Sequence, residues 1–416
     1  MDANLMSQQN VQSYRHMNSC LACGENDLHT YLDLGTQPLA NSFHDGKSTQ
    51  LAFPLASQIC PACFHSQLTV AVNPDLLYQH YLYVSGTTRT LHDYFSWFVD
   101  QVEQKLGTNS LSVLDIASND GSLLSQFKQH GHQVQGVDPA ENLRVLSEEK
   151  GIPTLVDYWS THTAIKLGQK YDVIIAMNVL GHISTPFDFL LAAAQALAPG
   201  GLIFLQTSQA DIFRNGEFDT IYHEHHSFFT MRSLRTLAKR VGLTLVHSQK
   251  VRIHGNSYLW TLTHDSSVIP DNSVAEMEQE ETEIGYYDLA TYTHFGNKAR
   301  EAALQVSAAV EQLRRQGIPV IGYGAAAKGN TFINFAQLKL DFIVDDNLMK
   351  FGLLTPGMDI PVVDPQTLST VNEPLAIVIL AWNFFDEIIE RIRAQRPGHA
   401  DIFIRYFPTY SQCAAA

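Results

Sequence analysis

The stretch Phe218-Asp219-Thr220-Ile221-Tyr222-His223-Glu224-His225-His226-Ser227-Phe228-Phe229 sets two acids, a phenol and three imidazoles between Phe218 and the pair Phe228-Phe229. Imidazole has an unperturbed pKa of about 6.5, so proton abstraction at neutral pH most naturally recruits one of these histidines. A neighbouring carboxylate such as Glu224 can orient or polarise it. The same residues also fit a histidine-rich surface turn, and with 18 His in the whole chain the stretch alone does not separate the two readings.

A second constellation is Cys20-x-x-Cys23 with Cys60-x-x-Cys63, four of the five cysteines; Cys413 is left over in the tail. Two such knuckles suit a tetrahedral zinc site, each short turn presenting two thiolates. Two disulfides or a thioredoxin-like redox pair compete with that reading. A reducing cytoplasm disfavours the first, and the absence of a βαβ pattern around the knuckles disfavours the second. Four soft ligands with no open position predict a structural metal that folds about residues 15–75.

These residues need elements to position them, and 416 residues exceed one ordinary core, which predicts two or three domains. The 45% hydrophobic composition is that of a well-packed globular protein. A net charge of −15 with no Lys/Arg run excludes a nucleic-acid partner, although backbone amides can still seat a small anion. No window reaches the ~20 apolar residues of a membrane span, and the first residues lack a signal-peptide core. A cytoplasmic enzyme without a membrane partner is the default expectation.

After the knuckles, the aromatic and polar run Tyr81-Leu82-Tyr83-Val84-Ser85-Gly86-Thr87 leads into a helical pattern through Leu91, Phe95, Phe98, Val99, Val102 and Leu106. Tyr81 and Tyr83 either cap that helix or line a cleft beside the histidine stretch. From Leu111 strands alternate with helices, the pattern of a parallel doubly wound sheet. The strand Ser112–Ile116 contains Asp115 and runs into the small-residue turn Ala117-Ser118-Asn119-Asp120-Gly121-Ser122, followed by a helix over Leu123–Gln129. A second strand, Val134 to Asp138, ends on an acid suited to ribose hydroxyls. The turn is not G-x-G-x-x-G, which disfavours a dinucleotide dehydrogenase and leaves the S-adenosylmethionine pattern, with Asn119–Gly121 at the methionine end. Asp172 to Leu180 supplies a fourth strand with Asn178 at its carboxyl end. Pro199-Gly200-Gly201 reads as the turn into a fifth strand, Leu202–Leu205.

The last third carries acidic Glu276–Glu283, a long helical pattern from Leu289 to Leu313, and four strands: Pro319–Gly324, Leu340–Asp345, Ala376–Leu380 and Asp401–Ile404. Gly324 to Thr331, with Lys328, forms a strand-to-helix turn that offers exposed amides as an anion seat for a nucleotide diphosphate or is a plain structural turn. Trp382 and Phe384 at the next strand's exit either stack on a base or pack as ordinary aromatics.

In this order the motifs resemble the sugar-nucleotide C-methyltransferases that make branched deoxysugars. The resemblance covers nearly the whole chain. It rests on the paired knuckles, Ser118-Asn119-Asp120-Gly121, Gly136-Val137-Asp138-Pro139, Asn178-Val179-Leu180-x-His182-Ile183, Tyr222-His223-Glu224-His225, Gly324-Ala325-Ala326-Ala327-Lys328-Gly329-Asn330-Thr331 and Ala381-Trp382-Asn383. It implies a class I methyltransferase Rossmann-like sheet (76–270), flanked by a small zinc-binding domain (1–75) and a C-terminal Rossmann-like α/β domain (271–416). It implies His225 as base, with Tyr222 and Glu224 beside the sugar. The cofactor contacts it implies are Asp115, Ala117, Asn119, Asp120, Gly121, Asp138, Pro139, Asn142, Asn178, Val179 and His182. The substrate contacts are Tyr81, Tyr83, Asn178, His182, His254, Asn256, Tyr323, Lys328, Asn330, Trp382 and Asn383. One departure bears on the sugar and its anionic contacts: the family's usual His-Gly-Gly-Ser-Leu-Arg stands here as His254-Gly255-Asn256-Ser257-Tyr258-Leu259, without the arginine.

The activity implied is methyl transfer from S-adenosylmethionine to C3 of a 4-keto sugar linked to a nucleotide, thymidine diphosphate being the expected carrier. Carbon is a poor nucleophile unless it sits beside a carbonyl, so the ketone must acidify the C3 proton that His225 removes. An oxygen or nitrogen methyltransferase and a non-catalytic sugar-nucleotide-binding protein are the alternatives. On a regular strand Tyr222, Glu224 and His226 would share one face, with His223 and His225 on the other. Joint action of Tyr222, Glu224 and His225 therefore predicts a turn or a helix start at this stretch.

Overall fold

A computed structural model describes residues 13–47, 49–78, 89–107, 109–253 and 255–414. Tyr81, Tyr83 and His254 lie outside them.

The amino-terminal module is built from β-strands. Strand β1 (Tyr14–His16) pairs antiparallel with β5 (Val70–Val72), and β2 (His29–Pro38), β3 (Ala52–Ile59) and β4 (Ser66–Leu68) form an antiparallel sheet. In β2 the period of two sends Leu32 and Leu34 inward and leaves Asp33 exposed. Helix α1 (Pro74–Tyr78) ends the module.

Helix α2 (Arg89–Leu106) follows, and its helical spacing buries Leu91, Phe95, Phe98, Val99 and Val102. Each such side chain contributes roughly 1.5–3 kcal/mol by leaving water. Strands β6 (Ser112–Ile116), β7 (Gln133–Val137), β8 (Thr154–Leu155), β9 (Tyr171–Met177) and β10 (Leu197–Ser208) alternate with α3 (Ser122–Gln129), α4 (Glu141–Glu149), α5 (Thr161–Leu167) and α6 (Pro186–Ala196). Beyond β10 come α7 (Ile212–Asn215), β11 (Ser227–Phe228), α8 (Met231–Arg240) and the hairpin β12 (Thr244–Val251) and β13 (Ser257–Thr263). The sheet order is β12-β13-β10-β9-β6-β7-β8, with β6 to β10 parallel and β13 reversed against both neighbours. This is the class I methyltransferase sheet that the alternation implied. Pro199-Gly200-Gly201 departs from expectation: β10 starts at Leu197 and absorbs these residues as a register shift against β9 rather than as a turn before the strand.

Strand β11 does not join that sheet. It pairs with β4, making the amino-terminal order β11-β4-β3-β2, so the histidine stretch runs directly into the zinc module.

The carboxyl-terminal third begins with α9 (Asn272–Glu283) and α10 (Leu289–Arg315). It continues with β14 (Val320–Tyr323), α11 (Ala327–Ala336), β15 (Ile343–Val344), β16 (Val362–Val363), β17 (Ala376–Ile379), α12 (Phe385–Gln395), β18 (Ile402–Arg405) and β19 (Ser411–Ala414). Its order, β16-β15-β14-β17-β18-β19, is a doubly wound sheet whose order reverses between β14 and β17. The expected last strand at Asp401–Ile404 is followed by one more, β19, antiparallel to β18.

The modules share their cores. Tyr31, Leu32 and Leu55 of the first sheet belong to one buried cluster with Tyr292 and Phe295 of α10 and Phe332 and Tyr406 of the last third. Cys20 and Cys60 pack in another with Leu190 and Leu237 of the central sheet's helices. Helix α10 crosses β2 so closely that a Cβ at Gly296 would lie 2.1 Å from the Tyr31 carbonyl oxygen, which only glycine tolerates. Among the described residues no helix is long and apolar enough to cross a membrane.

Candidate active site and zinc centre

The two cysteine turns are built alike. Cys20 N–H bonds the Glu25 carbonyl and Gly24 N–H the Cys20 carbonyl, while Cys60 N–H bonds the His65 carbonyl and Phe64 N–H the Cys60 carbonyl. Gly24 and Phe64 occupy the matching left-handed position, at φ 89° and 55°. The four sulfurs lie within 4.8 Å of one another, with Cys20–Cys63 and Cys23–Cys60 at 3.5 Å. Zn–S bonds of about 2.3 Å give a tetrahedron with edges of about 3.8 Å, so the cluster fits the metal. Hydrogen bonds to Cys20 and Cys63 drive the Cys60 thiol far below its usual range. The bond with Cys60, ahead of burial, pushes Cys20 up to about 12. The four therefore cannot ionise together without a cation to share the charge. All four ligand positions are protein thiolates, so the zinc is structural.

The cofactor face lies at the carboxyl ends of β6, β9 and β10, where open sheets hold ligands. All three strands exit through left-handed backbone at non-glycine residues: Ala117 (φ 60°) and Asn119 (53°), Asn178 (55°) and Gln209 (69°). Such strain concentrates where a ligand fixes the chain. Asp138, at the end of β7, accepts Asn119 N–H and Ala140 N–H at 2.9 Å each, one per carboxylate oxygen. The first-strand turn, with Gly121 at φ 71°, is thus held to the acid that ends the second strand. Ser118 Oγ and Asn178 Oδ1 are buried without a partner among the described residues, which fits a polar ligand at this edge. Asp115 is buried in β6, and burial followed by the charge of Asp138 raises its carboxyl well above the usual range. The Asp120 carboxylate is held by Lys150 (2.6 Å) and Ser122 Oγ (2.8 Å). Pro139 and Asn142 form the exposed rim after β7, and Val179 caps the helical turn Leu180–His182.

The histidine stretch is a turn, the conformation expected of it. His225 N–H bonds the Tyr222 carbonyl at 2.9 Å, folding Tyr222 onto the imidazole with ring centres 4.1 Å apart. His225 Nδ1 lies 2.6 Å from the Thr220 carbonyl. A carbonyl only accepts, so the proton is assigned to Nδ1 and the Nε2 lone pair is left for chemistry. Gln209 Nε2 lies 3.1 Å from the same Nδ1, and because that nitrogen carries a proton, the amide pairs with it only when turned over so that its oxygen accepts. Burial, then the charges of His182 and Lys328, hold His225 well below its ordinary pKa of 6.5. It is neutral at pH 7. A small cavity lined by Asn178, Gly181, His182, Thr207, Ser208, Gln209, His225 and Ser227 brings three expected residues together. His182 stands edge-on to His225 at 4.8 Å. Its ring bonds the Glu224 carbonyl, its Nδ1 is buried without a partner among the described residues, and burial lowers its pKa to about 4.

The neighbouring histidines do other work. His223 Nε2 donates to the Pro54 carbonyl (3.3 Å) and its ring meets Phe53, while the His226 carbonyl accepts Leu68 N–H (3.0 Å). Both tie the turn to the zinc module. Glu224 departs from expectation: its carboxylate accepts from Asn41 Nδ2 at 2.7 Å, and the group holding the His225 imidazole is the Thr220 carbonyl.

The crevice of the last sheet opens between β14 and β17. Gly324 (φ 94°) allows the loop to pass Ala381, which would sit 2.7 Å from a Cβ there. Helix α11 starts without a side-chain cap, the loop amide before it, Ala325 N–H, is taken by the Asp345 carboxylate at 2.6 Å, and Lys328 Nζ lies 4.5 Å over the Trp382 ring. Trp382 meets Phe407 at 4.2 Å and donates Nε1–H to Asp219 at 2.7 Å. With Lys328 and Phe407 against it, its ring cannot stack on a base without displacing one of them. Tyr323 is also corrected: it is buried, and its hydroxyl is held by Arg391 and Asp346. Asn330 donates to the Ala40 carbonyl (2.8 Å) while its Oδ1 remains buried and unpartnered. Asn383 is exposed on the same turn as Trp382. Asn256 is turned to Asp211 (2.7 Å), and Leu259, where the family's arginine would stand, is buried in the core of β13.

Sequence reasoning missed Gln209, Ser227, Asn41 and Tyr94, whose hydroxyl donates to the buried Gln206. Gln209 had a signal, since it closes the fifth strand at the sheet's ligand edge. The others come to the site by tertiary folding.

Comparison with known proteins matches the chain to three family models in sequence: "Putative zinc binding domain" over residues 20–78, "Methyltransferase domain" over 88–248 and "C-methyltransferase C-terminal domain" over 252–408. The C-methyltransferase NovU of Streptomyces niveus is 30% identical over 390 residues, covering 90% of this chain and 92% of that protein. A ubiquinone biosynthesis O-methyltransferase of Roseobacter denitrificans is 38% identical but reaches only 37% of this chain and 68% of its own length. Among solved structures, an S-adenosylmethionine-dependent methyltransferase from Clostridium acetobutylicum aligns over 41% of this chain and 91% of its own, at 12% identity and a TM-score of 0.33. The near full-length match, the three family models in order and the four-cysteine cluster together show that the chain belongs to the C-methyltransferase family and is an S-adenosylmethionine-dependent, zinc-binding methyltransferase.

Proposed function

We propose that the protein methylates C3 of a 4-keto-deoxysugar carried on a nucleoside diphosphate, thymidine diphosphate being the expected carrier, as a step in deoxysugar biosynthesis. The observation that supports this most is the His225 imidazole, pinned through Nδ1 to Thr220 and presenting Nε2 beside the ends of β9 and β10. A neutral buried imidazole is in the right form to accept a proton, and a ketone beside C3 makes that proton removable. The low basicity of His225 has a counterpart in the reaction. The enolate formed beside it is an anion that stabilises the new imidazolium in a water-poor cavity. Tyr222, packed on the imidazole, steadies the sugar oxygens, and His182 Nδ1 can accept a sugar hydroxyl. Lys328 and the first amides of α11 seat the diphosphate. When bound, S-adenosylmethionine supplies the electrophilic methyl group; Asp138, Asn119 and Asn178 are the residues that would hold it. Ordering the two reactants contributes on the order of 7–11 kcal/mol. Four cysteines held as metal thiolates and a fifth, Cys413, outside any disulfide suit a reducing cytoplasm, where we expect the enzyme to act.

The test is methyl transfer from labelled S-adenosylmethionine to a panel of 4-keto sugar nucleotides, run with solvent deuterium exchange at C3. Carbon-bound label together with C3 exchange supports the reading. Label on oxygen or nitrogen, or binding without transfer, rejects it.

A further inference from the structure

Asp219 is a fully buried carboxylate six residues before His225, and none of the roles above uses it. It sits at the centre of the helical turn Phe218–Thr220, closed by Thr220 Oγ1 donating to the Glu217 carbonyl at 2.7 Å. Its Oδ2 accepts two hydrogen bonds from the carboxyl-terminal sheet, from Trp382 Nε1 and from the Tyr406 hydroxyl, each at 2.7 Å. Tyr406 is itself fixed, stacked on Phe332 at 3.9 Å with planes 5° apart. The Oδ1 of Asp219 is buried with no partner among the described residues. The next residue, Thr220, holds His225 Nδ1 through its carbonyl at 2.6 Å.

We propose that Asp219 is a positioning residue that ties the orientation and tautomer of His225 to the geometry of the carboxyl-terminal crevice. This rests on the reading of His225 as base. The side chain of Asp219 answers to Trp382 and Tyr406, while its peptide link to Thr220 sets the acceptor for His225 Nδ1–H. Lys328, poised over Trp382, lies at the outer end of the same relay. A ligand that draws Lys328 away from Trp382 shifts the indole, then the carboxylate, then the carbonyl behind the base. Recognition of the nucleotide end of the substrate thus reaches the proton-transfer step without touching the sugar.

The experiment uses Asp219→Asn and Tyr406→Phe in the full-length, zinc-loaded protein, with cofactor affinity by calorimetry as the folding control. Nitrogen-15 NMR of the histidine rings, assigned through His225→Gln, reads the tautomer without substrate. In the wild type His225 should show a protonated Nδ1. Asp219→Asn should lose or broaden that signature and lower kcat at least about tenfold, with KM and cofactor affinity changed less than about twofold. Tyr406→Phe, which keeps the carboxylate, should move both readouts in the same direction but less. An unchanged His225 signature in Asp219→Asn overturns the proposal, even if turnover falls. Because the signature is read without substrate, it is independent of whether His225 proves to be the base, which C3 exchange in His225→Ala decides.

Discussion

His65 Nε2 lies 3.2 Å from Ser227 Oγ, joining the second cysteine knuckle to a strand that lines the catalytic cavity. Gln67, paired with Ser227 across β4 and β11, also clamps the first knuckle, accepting Leu21 N–H at 2.7 Å and donating to the Ser19 carbonyl at 3.1 Å. The zinc centre therefore stands directly behind the catalytic turn.

Cys60→Ser should lose the metal and destabilise the protein by more than about 3 kcal/mol, because removal of one thiolate opens a closed four-sulfur site. Since β11 completes the same sheet, methyl transfer should be lost as well. Elemental analysis and urea unfolding check this. One zinc per chain with an unchanged midpoint in the variant would show that these cysteines are not the ligands.

Asp138→Ala should weaken cofactor binding at least about tenfold, ~1.4 kcal/mol. The loss has two sources: the ribose contact, and the turn amides of Asn119 and Ala140 that the carboxylate holds. Asp138→Asn keeps one acceptor and should bind with intermediate affinity. Equal affinity in all three proteins, measured by calorimetry, would rule out the second-strand acid as a cofactor residue.

His225→Ala should slow C3 exchange and methyl transfer by roughly 10²–10⁴ while leaving both ligands bound. His223→Ala should mainly lower stability, since its ring fastens the turn to the Pro54 carbonyl of β3, and His226→Ala, which keeps the backbone carbonyl bonded to Leu68, should lower it only through loss of its buried ring. Wild-type exchange in the His225 variant, with loss in either neighbour, would move the base assignment.

The pH profile follows from the burial of His225. A histidine whose folded pKa is depressed keeps its neutral, proton-accepting form to lower pH than a free one. The acid limb of the C3 exchange rate should therefore fall well below pH 6.5, with a flat rate from about pH 8 down to about 6.5. A limb centred at 6.5 or above would mean that a different group accepts the proton.

Gly296→Ala adds a helix-favouring residue, a change of about 0.5–1 kcal/mol in stability's favour on propensity alone. Here the Cβ would meet the Tyr31 carbonyl at 2.1 Å, and separating α10 from β2 costs more, about 3 kcal/mol. Urea unfolding should show net destabilisation; a stabilised variant would mean that the helix slides at little cost.

The central sheet was legible because β6 and β9 are short apolar runs leading into polar turns and β7, though it carries two glutamines, runs into the acid Asp138. The amino-terminal strands were not, since their pairing follows from the metal and from β11, a two-residue strand far away in sequence. Strand β19 lies beyond a Pro-containing loop and is exposed along its length, so it carries no hydrophobic pattern. The cysteines were readable from local spacing. Glu224 was misread because sequence adjacency to His225 does not survive the turn, which sends the carboxylate to Asn41. Trp382 and Tyr323 looked available because their partners Asp219, Phe407 and Arg391 are remote in the chain.

The ring of Tyr31 meets Phe213 at 6.2 Å, Tyr292 at 5.4 Å and Phe295 at 6.0 Å, so a strand of the zinc module and a helix of the last third fill one aromatic knot. Exchanging the carboxyl-terminal half with a relative's to graft a new sugar preference would cut through that knot. A chimera joined near residue 284 would bury mismatched rings against β2. A working graft must carry the facing side of β2, with Tyr31, Leu32 and Leu34, along with the helix that covers it.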